Sequence, residues 1–288
     1  MPVYNLTPPS QFNVLLTGDP HFVVQFAEIL EAKGVPFDIF ARPDLYSGLE
    51  MDEYDGAALD EAADTAAEFG AYADRVVTED RESMNTFTHI IDLSITPPFD
   101  RARQLEIAAA RNVEATIIMS ALTTTATELG MMAGCPGQAI GVSLAPSILS
   151  SVPFVEMSAG LNTNDRHVVR ARQLFEHLGY TVEQVEDRVA LVQMRVLATI
   201  INEAAFAVME GVASPQDIDQ AMKLGTNYPK GPLAWADEIG LPYILLILDA
   251  LYREYQQERY RPCVLLKQYV RAGWLGRSSG RGFYVYET

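Results

Sequence analysis

Leu275-Gly276-Arg277-Ser278-Ser279-Gly280-Arg281-Gly282-Phe283-Tyr284-Val285-Tyr286 is the stretch that decides the fold. Glycines at 276, 280 and 282 serve tight turns and close backbone approach. Asn227-Tyr228-Pro229-Lys230-Gly231-Pro232-Leu233 carries the same punctuation upstream. The segments around these two runs read as helices. Ser214-Pro215-Gln216-Asp217 is a helix start, with a serine N-cap, proline in the first turn and a carboxylate behind it, and Gly225 is its expected stop. Leu241 to Gln256 and Pro262 to Ala272 supply further helices. Val189 to Val212 is long, helical in pattern and apolar on most faces, which marks a core or a subunit interface. Residues 187–288 are therefore expected to form an all-α domain.

Residues 1–186 read differently. Asn13 to Thr17, Phe37 to Phe40, His89 to Ser94, Ala115 to Ser120, Ala139 to Leu144 and Phe154 to Ser158 are short apolar strands. Helical patterns separate several of them: Phe22, Phe26, Ile29 and Leu30 before a C-cap at Gly34, then Arg101 to Arg111 and Arg166 to Leu178. Strands spaced by helices predict a mostly parallel, doubly wound sheet. The fold class is thus an α/β doubly wound domain followed by an all-α domain.

The chain has 288 residues, enough for two modest cores, and a formal net charge of -17. That field opposes nucleic acid and anionic membranes as partners. It also opposes polyanionic ligands unless a basic patch reverses it locally. Between residues 44 and 84 stand thirteen acids against Arg75 and Arg81, interleaved with alanine, which predicts an exposed acidic helix. Two cysteines, Cys135 and Cys263, make a disulfide scaffold or a zinc site improbable, so no metal is expected. The start lacks a basic, then apolar, leader pattern, and the apolar run from Leu241 to Leu251 is broken by Asp249. The expected setting is the cytoplasm.

The C-terminal motifs resemble the helical domain of the 3-hydroxyacyl-CoA dehydrogenases. The resemblance rests on Asn202-Glu203-Ala204, on Gly211, Asp219, Met222 and Gly225, and on Pro229-Lys230-Gly231-Pro232-Leu233. It continues through Asp237-Glu238-Ile239-Gly240, Arg259-Tyr260-Arg261-Pro262 and the closing Leu275 to Tyr286 run. It implies a Rossmann-like, NAD-binding-like first domain, a dimerising second domain, and oxidation of a 3-hydroxy thioester by NAD in fatty-acid metabolism.

The first domain keeps that family's order of elements but not its working residues. The glycine-rich loop that brings diphosphate to a helix N-terminus aligns its three glycines with Thr17, Asp19 and Phe22, leaving only Gly18 nearby. Asp19 puts a carboxylate where diphosphate would lie, and Pro20 removes a donor. Two like charges ~4 Å apart at an effective dielectric of ~20 repel by roughly 4 kcal/mol. The ribose carboxylate aligns with Ala41, followed by Arg42; the acid after the later strand aligns with Thr96, and the lysine beyond it with Arg101. The family's general-base histidine aligns with Ser143 and its orienting glutamate with Glu156. The substrate serine aligns with Thr123 and the asparagine with Met194, beside a retained Arg195, while Pro-Gly-Phe reads Val189-Ala190-Leu191. Serine cannot replace histidine in proton transfer near neutral pH.

The family positions to inspect are Ser143, Glu156, Thr123 and Met194 for catalysis, and Gly18, Arg42 and Arg101 for a cofactor. The leading expectation is a catalytically degenerate member of the family, holding no cofactor and acting by binding or scaffolding. It would be a homodimer that engages a related dehydrogenase or an acyl thioester. The alternative is an active NAD- or NADP-dependent 3-hydroxyacyl-CoA oxidoreductase with repositioned groups.

Overall fold

The computed structural model describes residues 12–40, 67–77, 86–95, 101–102, 105–106, 114–143 and 153–287. Arg42, Thr96 and most of the acidic 44–84 stretch lie outside the described residues. The chain divides into two compact units between Leu191 and Val192.

Unit 1 is built on one sheet of eight strands in the order β3-β2-β1-β4-β5-β6-β7-β8. These are β1 (Val14–Thr17), β2 (Phe37–Phe40), β3 (Val76–Val77), β4 (His89–Asp92), β5 (Thr116–Ser120), β6 (Ala139–Val142), β7 (Phe154–Ala159) and β8 (Thr181–Gln184). All neighbouring pairs are parallel except β6 with β7, so the doubly wound expectation holds. The short β3 and the polar β8, of which only Val182 is buried, were invisible in the sequence because neither has a strand-like apolar pattern. Between residues 67 and 75 the chain is a 3₁₀ segment bent at Gly70; the acidic helix expected within part of 44–84 otherwise falls outside the described residues.

Helix α1 (Pro20–Ala32) ends as its sequence predicts, with Gly34 at φ 67°. Phe26 of α1 meets Phe175 of α3 (Asp165–His177) edge-on at 6.5 Å. Leu15, Ile90, Ile117 and Met119 join Ala102, Leu105, Ala126 and Leu129 in a separate apolar cluster. The last two belong to α2 (Ala126–Met132), which lies close on β6 because Gly130 leaves no Cβ to strike Ala139.

Unit 2 is helical: α4 (Gln193–Met209), α5 (Pro215–Thr226), α6 (Pro232–Ile239), α7 (Leu241–Tyr255) and α8 (Val264–Arg271). Helix α4 starts later than Val189 because Ala190 and Leu191 take positive φ, 62° and 46°. Ser214 caps α5 as expected, accepting from the Asp217 amide at 3.2 Å. The stop is Asn227 in the left-handed region, not Gly225, which remains inside the helix.

The closing motif is explained by two buried carboxylates. Asp219 accepts the Leu233 and Ala234 amides at the start of α6 (2.8 and 2.9 Å) and the Tyr284 hydroxyl (2.7 Å). Asp237 accepts the Phe283 and Tyr284 amides, both at 2.9 Å, and the Tyr286 hydroxyl at 3.0 Å. Burial raises the Asp237 carboxyl above its ordinary range against those donors. A Cβ on Gly231 would collide with Asp219, and one on Gly282 with Asp237. Asn202 clamps the same unit from α4, donating to the Arg261 carbonyl and accepting from the Cys263 amide.

Candidate functional site

The site belongs to the carboxyl-terminal edge of the parallel strands in unit 1, where open α/β sheets hold ligands. β1 ends at Thr17, and Gly18 follows at φ 120°. A Cβ there would come within 2.5 Å of the Ser94 amide, so the chain can pass the end of β4 only as glycine.

Asp19 comes next, at the N-cap of α1, but its side chain makes no cap bond. Instead its carboxylate accepts the Ile95 amide at 2.9 Å. Burial, with repulsion from Asp92, pushes its carboxyl up to about 6, against the lowering by the Ile95 amide and Arg101. The Phe22 and Val23 amides already donate to the Asp19 carbonyl, Pro20 has none to give, and the Phe22 side chain is wholly buried. This loop fits a diphosphate poorly: two of its amides are used, Pro20 has none, and Asp19 brings a carboxylate.

Asp92 is the residue that the sequence reading missed. It ends β4, is 1% exposed, and is the hub of the edge. One of its oxygens accepts the Ser94 amide and hydroxyl (3.0 and 2.6 Å). The other accepts Nε and Nη2 of Arg101 (3.0 and 2.8 Å). Arg101 also donates to the Ser120 carbonyl at 2.7 Å and to Thr123 Oγ1 at 3.3 Å. Thr123 in turn donates to the Ile95 carbonyl. Arg101 is thus a wholly buried partner of Asp92, and its three guanidinium nitrogens are engaged inside the protein. An acid closing the apolar run His89-Ile90-Ile91 was the signal that could have found it, since a carboxylate there must have a buried partner.

Ser143 follows β6, and its amide donates to the Glu156 carbonyl on antiparallel β7 at 3.3 Å. The register Val142 with Met157 places Ser143 directly opposite Glu156. Both are buried, and cross-strand neighbours of this kind hold their Cβ atoms within about 5.5 Å. The Ser143 hydroxyl is buried without a hydrogen-bond partner. The fold therefore brings together the two aligned positions of base and orienting acid, and separately joins Thr123 to Arg101. Met194, 1% exposed on α4, belongs to unit 2. Its neighbour Arg195 donates to the Tyr260 hydroxyl at 2.8 Å and stacks over Tyr255, so it serves that unit's packing.

Three of the four histidines lie at the far edge of the sheet from Ser143. His89 opens β4, His167 bonds Thr116 at the start of β5, and the ring of His177 lies 5.2 Å from Phe12, just before β1. All three sit at the amino-terminal edge, opposite Ser143. His167, in the first turn of α3, is buried. Burial lowers both His89 and His167 to about 4. His21 is exposed on the first turn of α1 and bonds Gln25. Among the described residues, no group of three or more His, Cys, Asp or Glu could hold a metal. None of the described helices is long and apolar enough to cross a membrane.

A doubly wound, mostly parallel sheet followed by an all-α unit is the architecture of dehydrogenases that pair a Rossmann-like domain with a helical one. Residues 192–286 match the 3-hydroxyacyl-CoA dehydrogenase C-terminal domain. A probable 3-hydroxybutyryl-CoA dehydrogenase of Bacillus subtilis is 44% identical over 164 residues, 56% of each chain. The 3-hydroxybutyryl-CoA dehydrogenase of Bradyrhizobium diazoefficiens is 38% identical over 184 residues, 63% of this chain and 61% of that one. The match thus spans about three-fifths of the length of such relatives. Among solved structures, (S)-3-hydroxybutyryl-CoA dehydrogenase PaaH1 from Ralstonia eutropha has a TM-score of 0.72 at 26% identity, covering 96% of this chain and 99% of that one. M. tuberculosis FadB2 shares the fold, with a TM-score of 0.76 at 23% identity over 95% of this chain and 98% of that one. Residues 192–286 thus match that family's C-terminal domain, and over more of its length the chain resembles 3-hydroxybutyryl-CoA dehydrogenases in sequence and fold.

Proposed function

We propose that this chain is a catalytically degenerate member of its family that works by binding or scaffolding instead of hydride transfer. The observation that carries the reading is Ser143, facing Glu156 with its hydroxyl unpartnered. A serine there cannot take the proton of a 3-hydroxyl near neutral pH, and loss of a general base costs typically 10²–10⁴-fold. The loop around Asp19 and Pro20 supports the same reading, because it lacks the donors and the charge that NAD needs. Arg101 is held by Asp92, not offered to a ligand.

A second reading, an active NAD- or NADP-dependent 3-hydroxyacyl-CoA oxidoreductase of fatty-acid metabolism, is favoured by the names of the relatives, by Glu156, by the hydroxyl kept at Thr123 and by the basic Arg101. Fluorescence titration with NADH and NADPH separates the two. We expect no saturable binding at micromolar concentrations and no reduction of acetoacetyl-CoA. Micromolar affinity for either dinucleotide would sink the degenerate reading.

The scaffold is a homodimer through unit 2 in this proposal. Helix α5 buries only Asp219, an unusual state for a helix of 12 residues. Val192, Val196, Met209, Val212, Leu224 and Val264 are bare on the same unit. Such apolar exposure favours a protein partner.

A further inference from the structure

We infer that the C-terminal turn of unit 2 is a docking surface for an acidic, partly apolar peptide segment of a partner protein. From Arg261 onward the chain carries five bases (Arg261, Lys267, Arg271, Arg277, Arg281) and one acid, Glu287. That is a local balance of +4 in a chain of -17, leaving -21 for the rest. Arg261 pairs with Glu258, and Lys267 lies near Asp249. Arg271, Arg277 and Arg281 are exposed and have no ion pair among the described residues.

Two of these arginines are held in place by aromatic rings. The Arg281 guanidinium lies 3.6 Å from the centroid of Trp274, and that of Arg277 lies 5.5 Å from Tyr286. Trp274 is fixed in turn by Tyr269, 4.9 Å away. Stacking satisfies the guanidinium faces and leaves in-plane N–H groups to fork onto carboxylates. The turn that carries them is rigid. Gly276 and Arg281 exchange amide-to-carbonyl bonds, and Ser279 Oγ accepts the Leu275 amide. Asp237 beneath it is occupied by the Phe283 and Tyr284 amides and the Tyr286 hydroxyl, so it does not neutralise the arginines as an ion-pair partner.

Val285 lies directly across the bridge from Arg281 and is 78% exposed. Stacked arginines, a tryptophan and a tyrosine make the composition of an interface hot spot, and Val285 adds exposed apolar area beside them. Its pattern fits a segment with carboxylates flanking an apolar side chain. Because the ordering cost of both arginines is already met, such a segment gains the charge-assisted bonds without first freezing the receptor.

The test uses the full chain and a short fluorescein-labelled peptide alternating glutamate and leucine, followed by anisotropy at low salt. Saturable binding is expected, weakening as salt rises. It should fall about tenfold or more in Arg277→Gln/Arg281→Gln. Val285→Asp, which keeps both arginines, should weaken it too. Thermal unfolding of each variant checks that the turn is intact. No binding, or binding unchanged in both variants, overturns the proposal. Equal binding of the glutamine analogue, or full displacement by millimolar inorganic phosphate, overturns it as well; the latter would assign the surface to small oxyanions.

Discussion

Removing the Arg101 guanidinium tests the central structural claim about unit 1. In Arg101→Met the stem is replaced at similar length, but four hydrogen bonds are lost, two of them to Asp92. Asp92 keeps the Ser94 amide and hydroxyl on one oxygen, while the other oxygen loses both donors, at 1% side-chain exposure. Breaking a buried pair from one side costs about 3–5 kcal/mol, mostly because the remaining charge has no compensation. The orphaned carboxyl should rise in pKa, so the deficit has a pH signature. A raised folded pKa supports stability below the unfolded value and loses it as pH rises. The variant should therefore be hurt more at pH 8 than at pH 4.5. Adding Asp92→Asn removes the charge and should restore part of the loss, giving a coupling of about 1–3 kcal/mol in the double-mutant cycle. Both tryptophans, Trp235 and Trp274, lie in unit 2, so the loss is read from urea unfolding by far-UV circular dichroism and from amide exchange in β1, β4 and β5. A loss below about 1 kcal/mol that is the same at both pH values would refute the picture of a buried, mutually dependent pair.

Four further outcomes follow from the same geometry. Asp19→Asn keeps an acceptor for the Ile95 amide and removes a carboxylate pushed up to about 6, so it should stabilise the protein by about 1–3 kcal/mol at pH 8 and little at pH 4, as read from urea midpoints. His89 and His167 act in the opposite sense: their folded values of about 4 lie below the unfolded 6.5, so their share of stability is complete above pH 6.5 and drains as pH falls toward 4. Each could contribute a few kcal/mol over that window, and a smaller stability slope in His167→Gln is the check. Ala190→Gly should stabilise by about 1 kcal/mol, because a buried alanine at φ 62° carries strain that glycine does not; an unchanged melting temperature would remove the strain argument. Val196→Glu with Leu224→Glu should shift sedimentation from dimer to monomer, whereas an unshifted dimer would move the proposed interface off these residues.

What the sequence disclosed, and what it hid, divides by physical cause. Apolar strands such as Val14–Thr17 and Thr116–Ser120 were legible because both faces are covered and the run is unbroken. Polar β8 was not, since its partner β7 supplies the pairing and its own side chains face water. Gly231 and Gly282 were legible as turn residues, but their cause, two carboxylates that leave no room for a Cβ, emerged only in three dimensions. Ser143 and Glu156 were marked as two separate positions by resemblance, and that they face one another emerged only from the β6–β7 register. Arg101 was read as a potential cofactor contact, whereas the fold gives it to Asp92, a residue 9 positions away that no motif had marked. A buried charge pair has no periodicity, so its trace in the sequence is an acid closing a strand-like run, which does not name the partner.

Asp187 holds its part of unit 1 together without any ligand. Its carboxylate takes the Ala126 and Thr127 amides, both at 2.9 Å, along with the Thr127 and Ser158 hydroxyls. It thereby fills the start of α2 with an anion supplied by the chain itself. Ala190 then donates to the Ala121 carbonyl at 2.7 Å before the chain leaves unit 1. Asp92, Asp187, Asp219 and Asp237 all do the same physical work: each converts loose backbone or arginine donors into a fixed junction. None of them requires a substrate to hold its junction. None is among Asp19, Ser143 and Met194, so the proposed loss of chemistry at those three positions leaves the residues that hold the fold in place. The closing Leu275 to Tyr286 run, anchored on Asp237, therefore marks the fold of unit 2 and is silent about activity.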